Sequence, residues 1–374
     1  MKKKSTFLLI CVILSAAVYF FMQASVTRKE SVYIAVVGPM GEAGGKAMRQ
    51  GVELYRDQVN QQGGIDGRKL EIYFRDDQNQ PELAERIARE LAEENRVHLV
   101  LGHYYSNTSL SAGKIYKKNG IPVITASANA ESVIRDNEWY FRTVTGDSVE
   151  ARFAASYMYD ILSSYKNIPL SEIVQETIPA SIIFSEDEYG LSLLENFEKI
   201  ARQFDIEIKG KWEWDDKKSS IEQAEHIQKE LAATDDPGVI YLATHAAEGV
   251  KIITALKDAG KTYPMIASAA LTRSFFDKLK SYIKEWENPG YYSDGIYFIT
   301  PFMLSLSGVK GVEFARKFIK KYNQEPKEVA ACYYDAVDVA VRAMKKSSIH
   351  GKKHIREDRR AIRTALAGLY NEEK

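Results

Sequence analysis

From Ser31 to Ala267 the sequence alternates short β-rich runs with stretches of helical period, and this alternation constrains the fold most. Ser31-Val32-Tyr33-Ile34-Ala35-Val36-Val37 ends at Gly38-Pro39, which reads as a buried strand and its turn. Apolar residues at helical spacing predict a helix over about 44–61. A Gly63-Gly64-Ile65-Asp66-Gly67 turn leads into a second strand at Leu70-Glu71-Ile72-Tyr73-Phe74. Pro81 opens a predicted helix to about Glu94, with Leu83, Ile87 and Leu91 on one face. A third strand at Val97–Leu101, a helix to Asn119 and a fourth strand at Ile121-Pro122-Val123-Ile124 follow.

The second half repeats the rhythm. Strands are expected at Ser181–Phe184, Val239–Leu242 and Pro264–Ala267, with helices at about 190–204, 221–231 and 247–259. Strands joined through helices pair in parallel, with helices covering both faces of the sheet. The expected fold class is therefore α/β, with parallel-type sheets. Such sheets bind ligands at the carboxyl ends of their strands. Candidate positions are those just after Val37, Leu101, Ile124, Phe184, Leu242 and Ala267.

Two of these ends carry suggestive chemistry. Gly102-His103-Tyr104-Tyr105-Ser106-Asn107-Thr108-Ser109 precedes a helix. Its hydroxyl and amide groups either cap free helix N–H groups or, with the positive end of the helix dipole, form a carboxylate pocket. Thr125-Ala126-Ser127-Ala128-Asn129 is a second small, polar end, either an ordinary turn or a loop that admits a ligand close to the backbone.

Charge is informative in its distribution. The chain has 51 Lys+Arg against 51 Asp+Glu, which argues against a protein built to grip nucleic acid. Lys2, Lys3 and Lys4 precede an apolar run from about Phe7 to Met22, the pattern of an export signal with its lysines held in the cytoplasm. The run is long for a cleaved signal and slightly short for a span, so residues 1–29 are expected to be a signal peptide or a membrane anchor. Either way the body lies in the periplasm or cell exterior. Arg342 to Arg363 holds nine basic residues against Glu357 and Asp358, a solvated face or a surface for lipid headgroups or a permease. The body between these two ends is acidic.

The order of these pieces resembles the type I periplasmic solute-binding proteins, in particular the branched-chain amino acid (Leu/Ile/Val) binding family of ABC transporters. The matching pieces are Ile34-Ala35-Val36-Val37-Gly38-Pro39, Gly63-Gly64-Ile65-Asp66-Gly67, Asp76-Asp77, Gly102-His103, Ile121-Pro122-Val123-Ile124-Thr125, Tyr189-Gly190 and Tyr334-Asp335-Ala336, which span most of the body. The resemblance implies two Rossmann-like lobes joined by a hinge, expected at 31–147 with 301–374 and at 148–300. It implies closure over a small ligand and delivery to an ABC permease. By the same resemblance Ser106, with N–H groups near Asn107, binds a ligand carboxylate. Ser127 and Asn129, flanking Ala128, hold an α-ammonium. Tyr189 closes from the opposite lobe, and Asp147 is an acid at the first hinge crossing.

Departures from the family pattern are also legible. The acid expected after the Pro264–Ala267 strand is replaced by Ser268-Ala269-Ala270, and the aromatic after Val239–Leu242 by Thr244-His245. The Gly41–Gly45 loop lacks an aromatic. An ammonium buried without a carboxylate is costly, so either Asp147 supplies the charge or the ligand is not a standard α-amino acid. His245 is a cleft candidate or a structural histidine. The family's C-terminal hairpin, and with it a third crossing between the lobes, is expected to be missing.

Other signals point away from catalysis. There is no nucleophile elbow, no phosphate loop and no two-histidine metal motif. The Gly38–Gly45 loop has the wrong spacing for a dinucleotide. Cys332 reads as packing on a helix, and Trp212 and Trp214 as the edge of a second-lobe strand. The expected protein is a non-enzymatic, monomeric binder without a cofactor or metal. It captures a small polar, amino-acid-like or carboxylate ligand; a membrane-anchored sensor that signals occupancy to a partner is the alternative.

Overall fold

In the computed structural model, residues 29–174, 177–215 and 217–372 are described. The N-terminal apolar run, with Lys2–Lys4 and Cys11, lies outside them. Among the described residues no helix is long and apolar enough to cross a membrane.

Two five-stranded sheets form, and neighbouring strands in both run parallel. The first contains β1 (Val32–Gly38), β2 (Leu70–Asp76), β3 (Leu99–Gly102), β4 (Val123–Thr125) and β5 (Tyr140–Arg142), in the order β2-β1-β3-β4-β5. The second contains β6 (Ile178–Ser185), β7 (Ile206–Trp214), β8 (Val239–Ala243), β9 (Met265–Ala267) and β10 (Ile296–Phe298), in the order β10-β9-β8-β6-β7. The longer helices are α1 (Ala43–Gln61), α2 (Pro81–Glu94), α3 (Ser106–Asn119), α4 (Asp147–Lys166), α5 (Glu188–Ala201), α6 (Ser220–Ala233), α7 (Ala246–Asp258), α8 (Gly308–Tyr322), α9 (Glu328–Lys346) and α10 (Ile355–Glu372).

The unbroken apolar character of β1 follows from burial on both faces. Val32, Ile34 and Val36 join one core with Val52, Val337, Val341, Ile362 and Leu366 from α1, α9 and α10. Ala35 and Val37 join the opposite core with Ala84, Ile87, Leu91 and Tyr116 from α2 and α3. β6 repeats this arrangement: Ile182 packs with Ala151, Met158 and Leu193, and Ile183 with Ile227, Val250 and Ile253.

The chain leaves the first sheet between β5 and α4 and returns between β10 and α8, so the C-terminal helices cover the sheet on which the chain began. α10 stays there, with Leu366 and Leu369 in the first core. At Gly51 the approach of α1 to α9 is close enough that a Cβ would lie 2.1 Å from the Ala330 carbonyl oxygen.

Several details differ from the sequence reading. β5 and β10, three-residue edge strands with half-covered or exposed positions, were not expected, whereas the equally short but fully buried β4 and β9 were. β7 alternates buried or half-buried and exposed positions as an edge strand does, with Trp214 buried at its end. The basic C-terminal region is not a purely solvated face. Arg359 is 1% exposed, donating Nε to the Val97 carbonyl at 2.9 Å and Nη1 to Asn95 Oδ1 at 3.1 Å. Burial pulls its pKa down to about 10.

Candidate functional site

The carboxyl ends of the two sheets face each other across a cavity of about 470 Å³, a volume suited to a small organic molecule. Every strand end singled out in the sequence, apart from the one at Phe184, sends an adjoining loop directly to its wall; after β6 the wall residue is Tyr189, on the first turn of α5.

The first-lobe wall is built at the start of α3. Tyr105 occupies the N-cap position, with extended backbone, and Ser106 begins the helix. The Tyr104 and Tyr105 rings meet edge to face at 4.9 Å, and the Tyr105 hydroxyl donates to Glu42 Oε2 at 2.9 Å. Ser106 Oγ accepts from the Ala130 N–H at 3.3 Å. Ser127 Oγ donates to the Tyr104 carbonyl and shares a hydrogen bond with Tyr333 Oη, both at 2.8 Å.

The second-lobe wall is organised around Tyr189 and His245. Asp187 caps α5, accepting from the Gly190 N–H at 2.9 Å. Gly190 is required by proximity, since a Cβ there would sit 2.2 Å from the Ser185 carbonyl oxygen. Its absence of side chain lets the first turn of α5 lie against the end of β6 and turns Tyr189 inward. The Tyr189 hydroxyl donates to the buried Glu150 at 3.2 Å, and Glu150 also accepts from the Ala269 N–H at 3.0 Å.

His245, the N-cap of α7, places Nε2 2.8 Å from Asp187 Oδ2. Burial opposes its charged form, but the Asp187 carboxylate outweighs that and raises the imidazole pKa to about 9. His245 is therefore cationic at neutral pH. Its ring lies 5.2 Å from Tyr189 and 5.4 Å from Tyr105, so it touches an aromatic of each lobe.

Arg273 comes from the segment just after β9 and reaches across to the first lobe. Its Nη1 donates to the Ser127 carbonyl at 3.1 Å, Nη2 lies 3.5 Å from Asn129 Oδ1, and Nε donates to Glu328 Oε1 at 3.3 Å. The guanidinium carbon is 5.8 Å from the Tyr104 ring centroid. Burial disfavours the charge, yet Glu328 more than compensates and keeps the guanidinium protonated.

Of the residues expected from sequence, Ser106, Ser127, Tyr189 and His245 line this cavity, whereas Asn107, Ala128, Asn129, Asp147 and Ser268 do not. Asn107 accepts from the adjoining Thr108 N–H, and Ala128 is packed in the first-lobe core. Asn129 stands behind Arg273. Ser268 caps the short helix Ala269–Thr272 and donates to the Thr244 carbonyl at 2.8 Å. Asp147 is fully buried at the first residue of α4, and burial raises its pKa well above the usual carboxylate range. A carboxyl held in that state is a poor partner for a ligand ammonium, so the structure does not support the charge-supplying role considered for it.

The sequence reading missed Arg273, Tyr104, Tyr105 and Glu42 as wall residues. One arginine among 51 basic residues carries no signal of its own; the legible clue was the missing acid in Ser268-Ala269-Ala270. A larger hollow, about 1090 Å³, is walled by first-lobe elements and the crossing segments, including Tyr55, Phe141, Phe314 and Tyr334. From the second sheet it receives only the segment that follows β10, at Phe302.

Comparison with known proteins agrees with this geometry. A family model described as periplasmic binding protein matches residues 32–370. An amino acid binding protein of Pseudomonas aeruginosa is 28% identical over 185 residues, which cover 48% of this chain and 46% of that protein. The chain thus spans about half the length of the curated relatives it matches. Among solved structures, a substrate-binding protein of an ABC transporter from Desulfitobacterium hafniense, in complex with Leu, superposes with a TM-score of 0.71 at 23% identity, covering 91% of this chain and 89% of that one. A solute-binding protein from R. palustris in complex with benzoate gives 0.69 at 17% identity, covering 89% and 85%. At these identities the superpositions establish the fold.

Proposed function

The chain belongs to the periplasmic binding protein family, and on that premise we propose that it captures a small polar ligand between its two lobes, outside the cytoplasmic membrane, and passes it to an ABC permease. The observation that carries this reading is the cavity between facing strand ends, to which both lobes contribute side chains. Lobe one is assigned to 31–147 with 301–374, and lobe two to 148–300.

We assign ligand contact to Ser106, Ser127, Tyr189 and His245, joined by Tyr105 and Arg273. Aromatic faces from both lobes meet a ligand only when the lobes are together, so ligand contacts favour the closed arrangement and shift the equilibrium toward it. A permease that recognises the closed form then reads occupancy. The groups at the cavity do not form a nucleophile, base and orienting partner in sequence, and the chemistry supported is capture. Relatives of this fold carry leucine in one case and benzoate in another, so amino-acid-like and carboxylate ligands are both accommodated by the architecture.

Native mass spectrometry of the purified body, followed by a thermal-shift panel of amino acids, amides, polyamines and carboxylates, tests this function. The expected result is a retained or added small molecule at one equivalent with a raised melting temperature. A panel that leaves the melting temperature unchanged throughout contradicts it.

A further inference from the structure

The charges around the cavity are unevenly distributed, with His245, Arg273 and Lys278 against Glu42 and Asp277 in the wall. Arg273 and His245 are wall residues, and the acid that neutralises each, Glu328 and Asp187 respectively, is not. The enclosed space is therefore lined by the basic member of each pair and not by its acid. The exposed edge adds Lys278, while Asp277 is engaged by Lys280 and Lys327. Glu42, the remaining acidic wall residue, accepts a hydrogen bond from Tyr105.

Acceptors suited to an ammonium are already used. The Ser127 carbonyl receives Arg273 Nη1, and Asn129 Oδ1 faces Arg273 Nη2. The Ser127 hydroxyl is spent on the Tyr104 carbonyl and Tyr333, and Ser106 Oγ accepts from Ala130. Glu150, a buried acid behind Tyr189, is covered by Tyr189, Tyr241 and the Ala269 N–H. Donors remain in better supply. The first N–H groups of α1, α3 and α7 belong to wall residues Ala43 and Gly44, Ser106, and Ala246 and Ala247, so the positive ends of these helices add to the two side-chain cations.

We infer that the cavity is selective for organic carboxylates that lack an α-ammonium group, with the Arg273 guanidinium occupying from within the protein the place such an ammonium would take. The inference rests on the proposed function and specifies its ligand. The carboxylate lies against Arg273 and His245, where charge-assisted hydrogen bonds form. An apolar or aromatic body packs on the Tyr104, Tyr105 and Tyr189 rings. An amino acid entering the same space brings its ammonium against a buried guanidinium, a like-charge contact in a desolvated site, and the wall acid not paired with a lysine, Glu42, is exposed at the first-lobe edge with Oε2 engaged by Tyr105.

Matched ligand pairs test the inference on the intact body. Calorimetric titration compares 3-phenylpropanoate with L-phenylalanine and 4-methylpentanoate with L-leucine, with benzoate as a further anion. The expected result is at least tenfold tighter binding of the deaminated member in one pair or both. A double variant, Arg273→Met with Glu328→Gln, removes the cation without stranding its acid. It is expected to lose the deaminated ligand by tenfold or more while leaving the amino acid no weaker. Equal or tighter binding of the amino acid by the unaltered protein overturns the inference and leaves the capture function standing. Binding of none of the five compounds overturns the inference too; if the broader thermal-shift panel is equally silent, the capture function falls with it.

Discussion

Arg273 Nη1, carried by the second lobe, lies 3.1 Å from the main-chain carbonyl of Ser127 in the first. The same guanidinium is paired with Glu328 at the start of α9, so one side chain ties the loop after β4 and a C-terminal helix to the opposite lobe. Buried ion pairs add little stability over apolar packing, but breaking one by removing a single partner leaves a charge without compensation.

Arg273→Ala is therefore expected to cost about 3–5 kcal/mol in urea denaturation. Glu328→Gln combined with Arg273→Met is expected to recover most of that loss. Small-angle scattering of Arg273→Ala is expected to give a larger radius of gyration than the parent, because a tie between lobes is gone. An unchanged radius together with unchanged stability contradicts the role of Arg273 as a bridge.

The His245–Asp187 pair predicts a pH dependence with a definite sign. His245 has a folded pKa near 9 against the ordinary imidazole value of 6.5, so its contribution is full below about pH 6.5 and is lost as pH rises through about 9. Asp187 is displaced the other way: although burial favours its neutral form, His245 and the helix N–H groups hold the carboxylate low. Its contribution is present above the ordinary carboxyl value of 3.8 and lost as pH falls below it. Denaturation free energies measured between pH 6 and pH 9.5 are expected to fall more for the parent than for His245→Gln. Parallel curves count against the pair.

Gly190 makes a steric prediction. Gly190→Ala forces a methyl group to within 2.2 Å of the Ser185 carbonyl oxygen, which is backbone and cannot rotate away. The expected cost is about 1–3 kcal/mol, the range for overpacking. Because Tyr189 precedes it on the first turn of α5, near-ultraviolet circular dichroism is expected to change as well. A fully stable Gly190→Ala protein shows that this turn is not as tightly held as the distance implies.

These residues also mark how far the sequence could be read. β1, β3, β6 and β8 were legible because burial on both faces demands continuous apolar runs, and the helices because their buried stripes repeat at helical spacing. β5 and β10 were not; unlike the equally short β4 and β9, which are buried throughout, they are edge strands with half-covered or exposed positions. At the candidate site, strand-end position pointed to the loops of the cavity wall, where Ser106, Ser127, Tyr189 and His245 lie. It could not find Arg273, whose placement depends on a turn after β9 and on an acid 55 residues later in the chain. Asp147 is the opposite case, legible in position but buried away from the cavity. Its position near the crossing was legible, but whether its carboxyl faced the cavity or the interior depends on how α4 packs.

The claim that ligand is held between the lobes is tested most directly by plugging that cavity. Ala247 is exposed at its edge, at the start of α7, so Ala247→Trp adds bulk without disturbing a core. Thermal shifts are measured for both proteins with each compound of the amino acid and carboxylate panel. A ligand at a hundredfold excess over its dissociation constant stabilises the native state by about 2.7 kcal/mol, which the parent is expected to register as a rise of several degrees. The account predicts that Ala247→Trp keeps the ligand-free melting temperature and loses the rise. An equal rise in both proteins contradicts it.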